Sequence, residues 1–389
     1  MTAAVTASIR QPYVVFGKPD IRQPEIDDVL ECLANGWIGT GPKVERFERA
    51  MAEYLGVAHA VATNSCTAAL HLALLACGVG PGDEVIVPSL TFCATANVVV
   101  HVGARPVLVD VARDSQGLTV EAVEAARTPR TRAILPVHFA GWPAPMTSLR
   151  ALADRHGLVL IQDGAHCLEG RVDDAPPCRL GDVACYSFYV TKNVVTGEGG
   201  MAVTADAALA GRMRTLRLHG IDADAWKRFT AAGYRHYECV VPGFKYNMTD
   251  MQAAMGIHQL ARVEENLRTR ERQGRRYQAE LAELPLELPA CPPLGIRHAR
   301  HLYTVQVRPE APLTRDALMQ GLHDVGIGSG VHYRPVHVQP FYRERFGYRP
   351  EDCPVAHDIG QRTLSLPLGP ALTDDEQTRV IAAVRQLLA

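Results

Sequence analysis

The sequence predicts an α/β protein: a mostly parallel central sheet with a smaller C-terminal α/β domain. Two observations predict it. Between residues 58 and 163, short apolar, β-rich runs alternate with helical patterns, as in strands paired in parallel and covered on both faces. Later, a long helical stretch rich in Arg, Glu and Gln runs from Thr249 to about Leu284, and the proline-rich Pro285–Pro293 then marks a boundary. A chain of 389 residues is comfortable for two domains. The expected division is 1–248, a large domain with its N-terminal segment, and 249–389, the long helix and the small domain.

The elements follow in order. Pro24 to Ala34 reads as a helix, and Asn35-Gly-Trp-Ile-Gly-Thr-Gly-Pro42 must be a loop. Lys43 to Leu55 is amphipathic, with Val44, Phe47, Met51 and Tyr54 on one face. Strands are expected at Ala58–Thr63, Glu84–Pro88, Pro106–Asp110, Ala133–Val137 and Leu158–Asp163. Helices are expected at Ala68–Ala76, Val120–Ala126 and Met146–His156. Ala184–Tyr189 and Gly200–Thr204 read as strands flanking a loop that carries Lys192. Past the proline-rich boundary come a strand at Leu302–Val307 and helices at Arg315–Val325 and Thr373–Leu388.

Composition narrows the function. Lys plus Arg is 40 and Asp plus Glu is 42, a formal charge of −2, which gives no general electrostatic ground for binding nucleic acid or an anionic membrane. The ten cysteines form no Cys-x-x-Cys pair and read as buried thiols in a reducing, cytoplasmic setting. His298 with His301, and His332 with His337, lack the carboxylate or thiol set of a metal site, so no metal is expected. Met1 to Ala7 lacks the basic and apolar regions of a secretion signal, and no stretch approaches a membrane span.

Four segments carry chemistry. Val61-Ala-Thr63 delivers Asn64-Ser-Cys-Thr67 to a helix start, where unpaired backbone N–H groups and hydroxyls make an anion site; the same residues also read as an ordinary helix cap. Asp163 ends an apolar run, and a carboxylate beyond a strand's carboxyl end can hold a pyridinium proton; a lone Asp there also reads as a cap or turn acid. His166 can pack on the same ring or fix Asp163, and Phe92 can stack on its face or join the core. Lys192 can condense with an aldehyde and move a proton, with Ser187 offering a hydroxyl to the phosphate; a typical loop lysine is a solvated charge. Lysine and acid are the two groups pyridoxal phosphate (PLP) needs from a protein. Gly78-Val-Gly80-Pro-Gly82 misses the dinucleotide spacing and follows a helix, which argues against a nicotinamide enzyme.

Taken together and in order, six motifs resemble those of the DegT/StrS-type PLP-dependent sugar aminotransferases. They are Gly36-Trp-Ile-Gly-Thr-Gly-Pro42, Asn64-Ser-Cys-Thr-Ala-Ala-Leu70, Gly82-Asp-Glu-Val-Ile-Val-Pro88, Gln162-Asp-Gly-Ala-His166, Ser187-Phe-Tyr-Val-Thr-Lys-Asn193 and Leu364-Ser-Leu-Pro-Leu-Gly-Pro370. The resemblance implies the PLP-dependent transferase fold type I. It implies Lys192 as the Schiff-base lysine and Asp163 as the pyridinium partner. It makes Ser65, Cys66, Thr67 and Ser187 the phosphate cradle, Phe92 the stacking ring, and His166 a neighbour of the cofactor's 3-hydroxyl. It implies a homodimer in which the neighbouring subunit completes the phosphate site. Gly243-Phe-Lys245-Tyr-Asn247-Met is like the subgroup with Lys-x-Asn there, which points to Asn247 and then Lys245. Departures from the family pattern are Gln162 for a usual Glu, Gly164 for Ala and Cys66 for a common Gly.

The resemblance also implies ping-pong transfer of an amino group from L-glutamate to a nucleotide-diphosphate keto sugar. The Gly36–Pro42 loop and His332-Tyr-Arg334-Pro-Val-His337 look most like C4 aminotransferases, so the expected acceptor is C4 of an NDP-4-keto-6-deoxyhexose, dTDP-linked. Trp37, Ile38, Thr40, Tyr333 and Arg334 would line its pocket, although Arg334 also reads as a surface ion-pair partner. Amination at C3 or of a cyclitol ketone shares every motif. Sugar 3-dehydratases of the family put histidine where this chain has Lys192, and the intact Lys192–Asp163 pair argues against a non-catalytic PLP-binding regulator.

Overall fold

The computed structural model describes residues 12–221, 229–230, 233–234 and 236–389; the expectation about Met1 to Ala7 lies outside them. The chain runs α1 (Gln23–Ala34), α2 (Pro42–Leu55), β1 (His59–Thr63), α3 (Cys66–Ala76), β2 (Glu84–Pro88), α4 (Cys93–His101), β3 (Arg105–Val109), α5 (Val120–Ala126), β4 (Thr131–Ile134), α6 (Met146–His156) and β5 (Val159–Asp163). It continues through β6 (Arg171–Val172), β7 (Val183–Ser187), β8 (Gly200–Thr204), α7 (Ala207–Arg217), β9 (Phe229–Thr230) and β10 (Gly233–Tyr234). Then come α8 (Asp250–Ala261), α9 (Val263–Glu280), β11 (Leu286–Glu287), β12 (Ile296–Arg297), β13 (Tyr303–Val307) and α10 (Arg315–Asp324). Last are α11 (Pro340–Phe346), α12 (Pro354–Arg362), β14 (Thr363–Leu366) and α13 (Asp374–Leu388).

The seven-stranded sheet has the order β1-β8-β7-β5-β4-β2-β3, and only β8 runs antiparallel to its neighbours. Successive side chains of a strand point to opposite faces. On β5, Ile161 therefore joins the core under α3, α4 and α7, while Leu160 joins the core under α6. A mostly parallel sheet brings strand ends to one side, and Asp163 stands there on a central strand. The smaller sheet, β11-β13-β14, buries Tyr303, Val305 and Leu364 against α10 and α13. Val14 packs into this same core and bridges to Ile327. No described helix is long and apolar enough to cross a membrane.

Three local differences from the sequence reading have physical causes. The expected long helix is two, because Arg262 leaves helical geometry (φ −112°, ψ 13°). Its guanidinium is anchored on the Asp20 carbonyl at 2.8 Å and paired with buried Glu25, which ties the break to α1. On α2, Leu55 joins Val44, Phe47 and Met51 on the buried face, and Tyr54 packs partly buried against the same core while its hydroxyl reaches Glu264 at 2.6 Å. Segment 93–101, which carries the β-branched Thr95 and Val98–Val100, is helical because both faces are taken up by packing on the sheet and on α3.

Phe47 seats α2 against the sheet. It is fully buried, 5.0 Å from the Phe188 ring, and faces Gly256 on α8, where any Cβ would meet its ring at 2.6 Å. Phe47→Ala is expected to cost about 3–5 kcal/mol, read by urea unfolding of the cofactor-free protein. A variant as stable as wild type would show that the ring does not support this layer.

Candidate active site

A cavity of about 530 Å³ opens at the C-terminal ends of the central strands. Its wall includes Ser65, Cys66, Thr67, Phe92, Asp163, His166, Ser187, Lys192 and Tyr333, so nine of the expected site residues meet in one place.

The phosphate end is built by the turn from β1 into α3. Ser65 is the N-cap of α3 and its Oγ accepts from Ala68 N at 3.1 Å, so the capping reading holds for that atom. The Cys66 and Thr67 amides keep no protein acceptor among the described residues, which leaves two donors at a positive helix end. Cys66 is buried and its thiol is pushed well above its ordinary range by burial, so it adds no charge. The close approach expected of a glycine at position 66 is met from across the gap. A Cβ on Gly200 would lie 2.3 Å from the Ser65 carbonyl carbon and 2.4 Å from Cys66 N. Gly200→Ala must therefore displace the start of α3. It is expected to weaken PLP binding about tenfold in an absorbance titration, whereas unchanged affinity would disprove the tight seating.

Asp163 is 6% exposed. Its Oδ2 accepts from Thr95 Oγ1 at 2.8 Å and its Oδ1 from Ala165 N at 3.1 Å, while Thr91 Oγ1 lies 2.8 Å from Thr95 Oγ1. An ionised carboxylate has about four acceptor positions, so two remain for a ligand N–H. Burial raises its pKa, and Thr95, the Ala165 amide and Lys192 pull it back. Lys192 is pushed down to about 8 by burial, with Asp163 and Cys66 opposing the fall.

The surroundings of Lys192 are neutral imidazoles. The Ala140 amide donates to His166 Nδ1 at 3.3 Å, so the proton sits on Nε2 and points at Tyr333 Oη, 3.2 Å away. Both nitrogens of His166 are thus engaged by protein, and its ring rather than a free nitrogen faces the cavity. The His301 ring packs against it, tilted by 35°, with centroids 4.3 Å apart. Asn193 Nδ2 donates to Glu169 at 2.7 Å, which turns its Oδ1 to accept from His301 Nδ1 at 3.0 Å. Glu169 is in turn paired with buried Arg270. Burial holds His166 and His301 well below the usual histidine range and His332 at about 4, and each is lowered further by Lys192. Thr95, Asn193, Glu169 and Arg270 were not singled out from sequence, and His301 was weighed only as a metal ligand. Only Asn193 lay inside a motif, and the other partners are distant in the chain.

Two departures from the family pattern acquire reasons. Gln162 accepts from His138 Nε2 at 2.9 Å, because His138 Nδ1 already accepts from Ala144 N at 2.9 Å. A Cβ on Gly164 would press on the Tyr186 ring at 2.8 Å.

Six expected residues stand outside the cavity. Thr40 and Asn247 bond to each other at 2.6 Å, and Thr40 Oγ1 donates to the Met248 carbonyl at 2.5 Å. Lys245 is exposed, with its carbonyl near Asn64. Trp37 and Ile38 are 42% and 50% exposed. Arg334 is exposed and makes none of the ion pairs among the described residues, so the surface-pair reading finds no partner there. Among those residues no cluster of metal ligands forms.

The residues present fit PLP: a deep carboxylate with spare acceptor positions, a half-buried lysine amine of lowered pKa facing the cavity, and two free amides across from a side-chain-free glycine. The family model described as the DegT/DnrJ/EryC1/StrS aminotransferase family matches residues 19–385. The spore coat polysaccharide biosynthesis protein SpsC of Bacillus subtilis (strain 168) is 44% identical over 382 residues, covering 97% of this chain and 98% of that protein. The putative sugar aminotransferase Spr1654 from Streptococcus pneumoniae, in its PMP-form, superposes with a TM-score of 0.90 at 32% identity, covering 96% of this chain and 98% of that one. DesI, solved in the presence of its TDP-sugar product, gives 0.86 at 33%, covering 97% and 93%.

Proposed function

This chain belongs to the DegT/DnrJ/EryC1/StrS aminotransferase family and is a PLP-dependent sugar aminotransferase, and from that premise we propose that it moves an amino group from L-glutamate to C4 of an NDP-4-keto-6-deoxyhexose. The observation that carries the reading is the convergence of Lys192 and Asp163 on one cavity beneath the first turn of α3.

Bound PLP supplies an electron-withdrawing ring that stabilises the charge left when the donor loses its α-proton. The chain's own groups do the rest. The Cys66 and Thr67 amides, with the Ser65 and Ser187 hydroxyls, hold the phosphate. Asp163 keeps the ring nitrogen protonated, and Phe92, 56% exposed at the cavity mouth, covers the ring face. Lys192 Nζ takes the proton from the donor's Cα and later returns one to the acceptor carbon, which its lowered pKa favours near neutral pH. Tyr333, fixed by His166, faces the sugar.

A homodimer in a cytoplasmic setting completes the proposal. Trp37, Ile38, Leu30 and Leu33 are large apolar side chains left exposed on one chain, which supports a partner surface there. The Thr40–Asn247 pair and Lys245 would then reach the neighbouring subunit's cavity, with Trp37, Ile38 and Arg334 nearer the sugar nucleotide. The dTDP carrier is supported by DesI, whose product is a TDP-sugar.

Incubation with L-glutamate and a dTDP-4-keto-6-deoxyhexose, followed by NMR of the purified product, tests the regiochemistry. The new amine is expected on C4; an amine on C3, or turnover only with a cyclitol ketone, would overturn it.

A further inference from the structure

We propose that the buried pair Ser89–His337 is a latch that holds Tyr333 in place over the cavity, which makes His337 a positioning residue for amination of the sugar. This rests on the reading of Tyr333 as the residue that faces the sugar.

Tyr333 sits on a strap, His332 to His337, that crosses from the smaller sheet to the seven-stranded one. At one end, His332 Nδ1 lies 2.8 Å from Ser365 Oγ on β14, and the His332 carbonyl accepts from Thr363 Oγ1 at 3.3 Å. At the other end, the Val336 amide donates to the Ser89 carbonyl at 2.8 Å, and His337 Nδ1 is hydrogen-bonded to the Ser89 hydroxyl. Ser89 directly follows β2, and its amide donates to the Val109 carbonyl at 2.8 Å, so it is a fixed point. Three residues further on is Phe92, whose ring centroid is 5.8 Å from that of Tyr333. The latch therefore joins two walls of the cavity, each within four residues of the bond.

A serine hydroxyl on an imidazole is also the beginning of a nucleophilic dyad. Here both residues are fully buried and neither lines the cavity that holds Lys192, so no substrate reaches the hydroxyl. Filling space does not call for histidine either. His337 Nε2 is sealed from solvent without a hydrogen-bond partner among the described residues, the Pro350 carbonyl offering at most a weak contact. Burying an unpaired ring nitrogen costs stability, and an apolar side chain would avoid that cost. What histidine adds is a directional bond to Ser89, which fixes the strap in one arrangement.

The two sides of the latch differ in their other supports. The Ser89 side is held by its bond to Val109 and by the fully buried Leu90. Loss of the bond should therefore move the strap, and with it Tyr333, while Lys192, Asp163 and the first turn of α3 keep their own contacts.

The test compares cofactor-loaded wild type, Ser89→Ala, His337→Leu and His337→Asn. Stopped-flow absorbance follows each half of the reaction separately, with L-glutamate and then with the dTDP-4-keto-6-deoxyhexose. Ser89→Ala and His337→Leu are expected to lose about 10- to 100-fold in kcat/KM for the sugar, with the glutamate half close to wild type. His337→Asn can place an amide atom about where Nδ1 stands, and should recover most of the loss. Ser89→Ala removes a single hydroxyl, so the comparison stands whether or not His337→Leu folds. Crystals of Ser89→Ala should show Tyr333 Oη withdrawn from His166 Nε2, with Lys192 and Asp163 in place. The proposal is overturned if both halves of the reaction fall together, if the sugar half is unchanged, or if Tyr333 keeps its wild-type position. An inactive wild type would instead refute the proposed acceptor, and the crystals would still decide the latch.

Discussion

Lys192→Ala is expected to leave an enzyme that binds PLP without a covalent link and transfers no amino group, a loss of at least about 10⁴-fold in rate. The expectation rests on the absence of a substitute. Among the described residues, the other nitrogen bases lining the cavity are His166, His301 and His332, and burial holds all three as weakly basic, neutral imidazoles. The nearest thiol, Cys66, is pushed well above its ordinary range. Mass mapping after borohydride reduction of the wild-type holoenzyme should find the cofactor on Lys192, and on no residue of the variant. Retained turnover, or a label elsewhere, would remove Lys192 from its role. A second limb follows from its pKa of about 8. The neutral amine is the reactive form, so covalent loading of the apoenzyme should quicken about tenfold per pH unit below 8 and level off above it. A rise continuing past pH 10 would mean an ordinary, solvated lysine.

How far such a site could be read in advance depended on how local its physics is. The Ser65–Thr67 turn, the acid ending β5 and the lysine loop each have a signature within a few residues, and the structure brings all three to one cavity. What escaped was set by long-range contacts. Thr95 reaches Asp163 across 68 residues, and it lies on a helix whose β-branched residues gave no helical signal. The Arg270–Glu169–Asn193–His301 series fixes a tautomer beside Lys192, yet links four separate segments. Alternation of strands and helices identified the mostly parallel sheet, because parallel pairing demands crossovers of that kind. It gave no warning that β8 would enter antiparallel, since strand direction leaves no trace in a five-residue apolar run. The break at Arg262 was equally invisible, because it depends on Asp20 and Glu25 rather than on a Gly or Pro.

Asp163→Asn separates charge from shape at the same site. Asparagine is nearly isosteric and the local bonds can be rebuilt around it. Its Oδ1 keeps the Ala165 amide, and its NH₂ meets Thr95 Oγ1, whose hydroxyl can turn to donate to Thr91 Oγ1. The fold and cofactor binding should therefore survive close to wild type. What is lost is the negative charge that keeps the ring nitrogen protonated, and with it most of the ring's capacity to accept electrons as Cα is deprotonated. Burial already raises the pKa of Asp163, and a ring N–H in place would pull it back, so acid and ring stabilise each other's charged forms. The expected result is a fall of about 10²- to 10⁴-fold in the single-turnover rate with L-glutamate. A cofactor analogue methylated on the ring nitrogen carries a fixed positive charge, needs no carboxylate to hold a proton, and should restore part of the rate in the variant but not in Lys192→Ala. Wild-type activity with the ordinary cofactor would strip Asp163 of this role, and failure of the methylated analogue would move the defect from charge to geometry.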